Sequence, residues 1–441
     1  MPAFEWLVRL GYPLHVALAG LALVYLGLFV YVLQATIITT PYWDMFSVVM
    51  RYLQYQRDGG LASYLWEPHV QHRHVWIRLL TWFDATVFSG VGYPFVISAT
   101  LCLLVAAWMV YRTVRRSVPR EHARWVGTVS AMLILTSVAA VDCAIPINGI
   151  YPQALMFSVL AVVLFDGEVS RVGRGDALRV CGLLAAMAAA FGNAAALVLW
   201  PILVWLAWRS RAGRTWVAVT TVVGVVFVAA YVYRLPGAAV GEGSALDWSR
   251  AANYLVTYLG LPWTRSAAVA SLGKMLGAVL FVVGAGGAVW AGVVHAPRSR
   301  IERVAIALIA FTLGTAVLAA AGRSDIEADL RVPVRYSVFV APMHIGLLLL
   351  AWTRGVPLLA DRRRERWVYP AMVVVAFVLT GQQWVAGRAA IATTQSMRQT
   401  IARFAAGEET ADMTTVVYVD LSQARRDWNA IHGAGLYLNA R

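Results

Sequence analysis

The sequence predicts an all-α polytopic membrane protein of about eleven transmembrane helices, and three observations carry that prediction. Hydrophobic residues fill 60% of the 441 positions and charged residues only 14%, with a mean hydropathy of +0.65, which is too apolar for a soluble chain of this size. Apolar runs long enough to cross roughly 30 Å of hydrocarbon recur along the chain. Arginines gather between those runs, so the net charge of +14 reports topology through the positive-inside rule rather than a nucleic-acid partner.

The run from Leu14 to Ile38 has no charged side chain. It is longer than a secretory signal core and lacks a small-residue cleavage site, which makes it a retained first span. It ends in "TTPYWDMFS", residues 39 to 47, which brings Trp43 and Asp44 to the membrane boundary. A long loop follows, about 39–92, in which "MFSVVMRYLQYQRDGG" and "HVWIRLLTWFDATVFSG" show apolar residues at helical spacing with charges opposite. They predict two amphipathic surface helices, the first ended by Gly59 and Gly60. A span over about Tyr93 to Tyr111 then leads to a cluster of Arg112, Arg115, Arg116, Arg120 and Arg124.

Further spans are predicted at Trp125 to Val141, Tyr151 to Phe165, Trp216 to Tyr233, Ala267 to Val294, Val304 to Ala321, Ser337 to Trp352 and Trp367 to Ala386. The segment Leu178 to Trp208 is basic at both ends and interrupted by "FGNAAALVLWP". It predicts a hairpin of two short helices meeting near Gly192 and Asn193, with irregular backbone that protein or a wet cavity must shield. Four more clusters complete the basic set: Arg171, Arg174 and Arg179; Arg209, Arg211 and Arg214; Arg298, Arg300 and Arg303; and Arg354, Arg362, Arg363, Arg364 and Arg366. With all five in the cytoplasm, Asp44 and the first loop face outside. Residues 1–386 then form one membrane domain and 387–441 a small extracytoplasmic tail, with a helix near Ile391 to Ala406 and a strand at "TTVVYVD". Cys102 and Cys181 lie in apolar runs and only Cys143 near the outer surface, so no disulfide framework is indicated.

Chemistry-bearing residues concentrate on the outer side. Asp44 is either a general base, its pKa raised by partial desolvation, or the cap of the helix that follows. The loop "GRSDIEADLRVPVRYS" sets Arg323, Arg331 and Arg335 beside Tyr336 where arginine ought to be scarce. A guanidinium fork suits phosphate oxygens, and pairing with Asp325, Glu327 and Asp329 is the alternative. In "EPHVQHRH", His69 and His72 stand three apart and could share one helical face toward a divalent metal, with Asp44 or Glu67 adding a ligand. No Cys or second His group outside completes the set, so no metal or other cofactor is indicated. No P-loop is present, which disfavours nucleotide-driven pumping.

An acidic residue just after the first span, a long first loop with two surface helices, about eleven spans and a basic outer rim resemble the C-type (GT-C) glycosyltransferase superfamily, integral membrane enzymes that use polyprenyl-phosphate-linked sugars. Closer still is the resemblance to bacterial membrane proteins with a pattern like "PHNEHR" in the first loop and "GR" followed by "RY" in a late one. This chain has "EPHVQHRH", "FGNAAALVLWP", "YLGLP", "GRSD" and "VRYS" in that order, with Gln71 where the pattern has an acidic residue. The resemblance implies a multi-pass protein of the bacterial inner membrane, with its active site on the extracytoplasmic face. It implies transfer of a sugar from a polyprenyl-phosphate lipid to a hydroxyl of a glycan, lipid or protein, with Asp44 as base and Arg335, Arg323, Arg331 and Tyr336 holding the donor phosphate. His72 and Arg73, which match the "HR" of the first-loop pattern, would line the sugar or acceptor cavity; of the residues around them, Glu67 and His69 are further candidates for its lining, with local hydrogen bonding the alternative for His69 and His74, and Trp43 and Trp66 are candidates for stacking on a sugar ring. A lipid-linked glycan polymerase, ligase or flippase would carry the same outer arginines. A transporter would bury charges at the midplane, where Lys274 is the clear exception in spans otherwise nearly free of charge.

Overall fold

The computed structural model describes residues 2–69, 72–118, 120–167, 174–210, 212–235, 247–263, 270–323, 332–355 and 368–438. The protein is an all-α polytopic membrane protein, and no strand forms among the described residues.

Helix α1 (Pro2–Thr36) contains the apolar span Leu14–Thr36. Tyr25, Phe29 and Val32 point into the bundle while Leu23, Val24 and Tyr31 are exposed, as a lipid-facing helix requires. The first loop folds as α2 (Asp44–Asp58), α3 (Leu61–Trp66) and α4 (Val75–Phe88). The predicted amphipathic helices are α2 and α4: α2 buries Met45, Phe46, Val48, Val49 and Tyr52 and exposes Arg51, Gln54 and Arg57.

Helix α5 (Tyr93–Ser117) crosses back, followed by α6 (Arg120–Ile134) and α7 (Ser137–Ala144). These two share the single span predicted over Trp125 to Val141, bent by 46° at the break. The broken backbone is satisfied within the protein: Thr136 accepts from the Ala139 N–H at 3.1 Å, and the Ser137 hydroxyl donates to the Gln383 carbonyl at 2.9 Å. Helices α8 (Ile150–Phe165) and α9 (Arg174–Gly192) pack closely, because a Cβ on Gly192 would lie 2.9 Å from the Ile150 carbonyl oxygen. The predicted break forms at Asn193, where α9 gives way to a 3-10 turn and the short α10 (Leu199–Arg209), but α9 itself is not a short helix: at 19 residues it is long and apolar enough to cross a membrane alone.

The remaining elements are α11 (Arg214–Val232), α12 (Trp248–Gly260), α13 (Ala270–Val289), α14 (Arg300–Arg323), α15 (Ala341–Leu350), α16 (Val368–Ala405) and α17 (Leu421–Gly433). A 3-10 helix, Val334–Val340, leads into α15. Among the described residues nine helices are long and apolar enough to cross a membrane and the bent pair makes a tenth, one fewer than the eleven expected; the shorter Ala194–Arg209 is apolar but falls below that length.

Contacts define two ends. At the basic end Arg303 pairs with buried Asp166 at 2.9 Å, Arg354 with Glu302 at 2.8 Å, and Arg209 donates to the Gly292 carbonyl at 2.6 Å. Arg171, Arg211, Arg362, Arg363, Arg364 and Arg366 lie outside the described residues. At the opposite end the C-terminal segment packs on the first loop: the Trp43 N–H donates to the Val417 carbonyl at 2.7 Å and the Tyr437 N–H to that of Ser89 at 3.0 Å. Gly90, at φ +74°, sits so close under Tyr437 that a Cβ there would meet the ring at 2.7 Å.

The C-terminal segment differs from expectation. The predicted strand "TTVVYVD" is instead a 3-10 turn, Ala411–Thr415, and an irregular stretch. Its backbone turns back on itself, Val417 N–H to Met413 carbonyl at 2.7 Å, and the Val417 carbonyl accepts from Trp43 rather than from a neighbouring strand. The helix expected at Ile391 to Ala406 is the unbroken continuation of the last span within the 38-residue α16.

Candidate functional site

Five separated segments converge on one cavity of about 240 Å³ at the end opposite the basic clusters; one is the end of α11 with Tyr231, Val232 and Leu235, and the other four carry quoted motifs. The first loop contributes His72, the α9–α10 break Asn193 and Ala194, α12 Tyr258, and the late loop Arg323 and Tyr336. Each comes from a motif quoted from the sequence, "EPHVQHRH", "FGNAAALVLWP", "YLGLP", "GRSD" or "VRYS".

The loop is pinned there by backbone chemistry. His69 and His72 exchange N–H to carbonyl bonds at 2.8 and 3.0 Å, an antiparallel bridge rather than a helical pairing. The expectation that the pair shares a helical face is therefore corrected. His72 Nδ1 accepts from the Ala194 N–H at 3.3 Å, so the irregular backbone of the α9–α10 break is what receives the loop. The His74 ring stacks on that of His72 at 5.1 Å and lies 5.4 Å from that of His69. Burial pushes the His72 imidazole down to about 4, aided by the positive charges of Arg323 and Arg335 and by His69. Burial likewise takes His74 well below the ordinary range and lowers His69 against the pull of Asp44 and Glu67. All three rings are thus neutral near pH 7.

Beside them lies an aromatic platform. Tyr336 stacks on Tyr258 at 5.6 Å and meets Tyr151 edge-on at 5.6 Å. Two guanidinium groups rest on it, Arg323 at 5.7 Å from the Tyr336 ring and Arg335 at 6.0 Å from that of Tyr151. Arg335 Nε donates to the Tyr151 hydroxyl at 3.0 Å, and among the described residues its terminal amino groups have no partner. A half-buried arginine without a carboxylate is unusual, since buried charge is normally paired. Its free edge is the geometry that a phosphate would complete. Arg331, Asp325, Glu327 and Asp329 lie outside the described residues.

Asp44 opens α2 next to this platform. It acts electrostatically on Arg335, His69 and Tyr42, and burial raises the Tyr42 phenol. The N-cap position belongs to Trp43, and no side chain caps the helix. The Asp44 carboxylate accepts no hydrogen bond from any described residue. Trp43 stands at φ +49°, a strained conformation for a bulky residue, held by the Val417 carbonyl and by its ring against Tyr418 at 6.1 Å.

The other expected cavity residues are placed elsewhere. Glu67 pairs with Arg51 at 3.0 Å and, with Trp66 and Arg73, lines a separate groove of about 530 Å³ under α2 and α3. Arg73 is 2% exposed; its Nε donates to the Tyr231 carbonyl at 2.7 Å, and its amino groups bond the carbonyls of Trp66 and Tyr233. It bolts the first loop to the end of α11. No group of three or more His, Cys, Asp or Glu side chains among the described residues could hold a metal ion. Tyr151, Tyr258 and Asn193 complete the site without having been singled out individually. The signal for the last two was their place in "YLGLP" and "FGNAAALVLWP"; for Tyr151 the sequence offered none.

No family model and no curated protein matches the chain. Among solved structures, the chain is similar to ArnT from Cupriavidus metallidurans in the apo state, at 16% identity over 89% of this chain and 76% of that one, with a TM-score of 0.42. It is similar also to the same protein bound to undecaprenyl phosphate, at 16% identity over 86% and 75% of the two chains and a TM-score of 0.42.

Proposed function

We propose that the protein is a membrane glycosyltransferase that moves a sugar from a polyprenyl-phosphate donor to an acceptor hydroxyl on the extracytoplasmic face. The observation that carries the reading is the convergence of the separated motifs on one cavity lined by His72, Arg323 and Tyr336, with Arg335, open-edged among the described residues, acting electrostatically on His72, and Asp44, which accepts no hydrogen bond from a described residue, acting on Arg335. In this reaction the acceptor oxygen bonds to the anomeric carbon as the bond from that carbon to the phosphate oxygen breaks. The hydroxyl proton goes to Asp44, and the electron pair of the broken bond stays on the polyprenyl phosphate. Arg335 and Arg323 stabilise the charge that develops there. His72 and Asn193, both uncharged, would face the sugar, and Tyr336 and Tyr258 would give it a ring face to lie on.

The test is to incubate the purified full chain with a panel of polyprenyl-phosphate sugars and analyse the lipid products. Release of free polyprenyl phosphate from one donor, lost in Asp44→Asn, supports the reading; an identical rate in that variant overturns it. Orientation is tested separately in a Cys181→Ala background. A cysteine at Val419 should react with an impermeant reagent from outside and one at Arg214 should not, and the reverse pattern would overturn the topology.

A further inference from the structure

The basic end carries a second hollow that the transfer chemistry does not use. It measures about 760 Å³ and lies where α1, α5 and α6 meet, lined by Arg112, Arg115, Arg116 and Arg124 with His15 and Trp108. Several arginines elsewhere at this end are engaged by protein: Arg303 by Asp166, Arg354 by Glu302, Arg179 by Asp176, and Arg300 by the Val163 carbonyl. Among the described residues the four in the hollow have no ion pair and no hydrogen bond. What Arg112 and Arg115 meet instead are the faces of Trp108 and Tyr111, at 4.9 and 6.0 Å. The positive-inside rule explains arginine at this end, but not the gathering of four unpaired ones around one hollow.

The surroundings say what sort of anion fits. The floor is firm, since Tyr111 lies over Gly127, where a Cβ would meet its ring at 2.7 Å, and His15 packs on Trp125 at 4.3 Å. Along α5 a stripe of Ile97, Leu101, Val105 and Trp108 is 57%, 55%, 38% and 52% exposed, and at helical spacing it runs into Arg112. A ligand that follows both features is apolar along α5 and anionic at its end.

We infer that this hollow binds the headgroup of an anionic phospholipid from the adjoining leaflet, with Arg112, Arg115, Arg116 and Arg124 around its phosphate and its acyl chains against the α5 stripe. The inference stands apart from the transferase reading, because it concerns the other end of the molecule.

The experiment uses the full chain, delipidated in a neutral detergent, and follows the apparent melting temperature and the bound lipid seen by native mass spectrometry. The probes are phosphatidylglycerol, phosphatidylcholine and inorganic phosphate at matched ionic strength. Phosphatidylglycerol should raise the melting temperature and remain bound, and phosphatidylcholine should do neither. Arg112→Gln with Arg116→Gln should weaken the apparent affinity by about 30-fold, roughly fivefold for each arginine removed. Arg115→Gln with Arg124→Gln should do likewise, while Arg214→Gln, which removes a charge of the same end outside the hollow, should leave it unchanged. Undiminished affinity in both double variants overturns the site. An equal shift with inorganic phosphate alone overturns the lipid assignment, and an equal loss in Arg214→Gln reduces the effect to general surface charge.

Discussion

Replacing Asp44 separates a catalytic carboxylate from a helix end, and the structure sets both magnitudes. The side chain is half-buried, accepts no hydrogen bond from any described residue, and begins a helix whose N-cap position is Trp43. Its contribution to stability is then a negative charge in the first turn of α2, worth about 0.3–1 kcal/mol, and an attraction to Arg335 without a direct ion pair, worth at most about 1 kcal/mol. Both Asp44→Asn and Asp44→Ala should therefore lower the apparent melting temperature by no more than about 2–4 °C. As a base, the carboxylate should be worth a factor of about 10² to 10⁴ in turnover, or about 3–5 kcal/mol of barrier. The donor KM should hardly move, because the phosphate is assigned to Arg335 and Arg323. The assay is release of polyprenyl phosphate at saturating donor, run beside thermal unfolding of the same preparations. Turnover of Asp44→Asn within a few-fold of the parent would refute the reasoning, as would a large melting loss in both variants, which would make the carboxylate structural.

Arg335→Lys keeps the charge but removes both the Nε bond to Tyr151 and the open fork, so the donor KM should rise about tenfold or more with little change in stability, as read by initial-rate kinetics. The His72 imidazole titrates near 4 when folded against 6.5 when unfolded, so the unfolded chain takes up its proton first. Stability from this group is complete above about pH 6.5 and is lost as pH falls toward 4, by about 3 kcal/mol at most. His69 and His74 push in the same direction. Melting curves between pH 4 and 7 should show that slope, reduced in His72→Gln, and an unchanged slope would count against the burial of the ring. Gly192→Ala forces a methyl against the Ile150 carbonyl and should cost about 1–3 kcal/mol by thermal unfolding. It should also slow turnover, because Asn193 and Ala194 move with it.

The spans were legible because hydrocarbon imposes a length and a composition that each segment shows by itself. The break at Gly192 and Asn193 was legible for the same reason: arginines at both ends of one apolar stretch leave a single span no consistent orientation. The break between Ile134 and Ser137 was not, since "LTS" contains no glycine or proline, and the kink is stabilised by Gln383 from the far end of the chain. At the site, "HR" and "RY" marked the right segments but not the work of each residue. Arg73 and Arg335 look alike in sequence; one is saturated by carbonyls of α11 and the loop, and the other rests on Tyr151 with its fork open. That difference exists only after distant helices have packed. The predicted strand failed for a related reason, because alternating Thr, Val and Tyr describe a strand only where another strand is available to pair with it.

The bond from Trp43 to Val417 joins a turn made early in synthesis to a segment that leaves the ribosome after nearly all of the helices. Until that segment arrives, a strained tryptophan has nothing to hold it, and the adjoining carboxylate has no fixed direction. If the proposed transfer needs Asp44 held by that turn, a chain stalled during insertion would possess its lipid-facing helices and still lack the contact that aims the carboxylate.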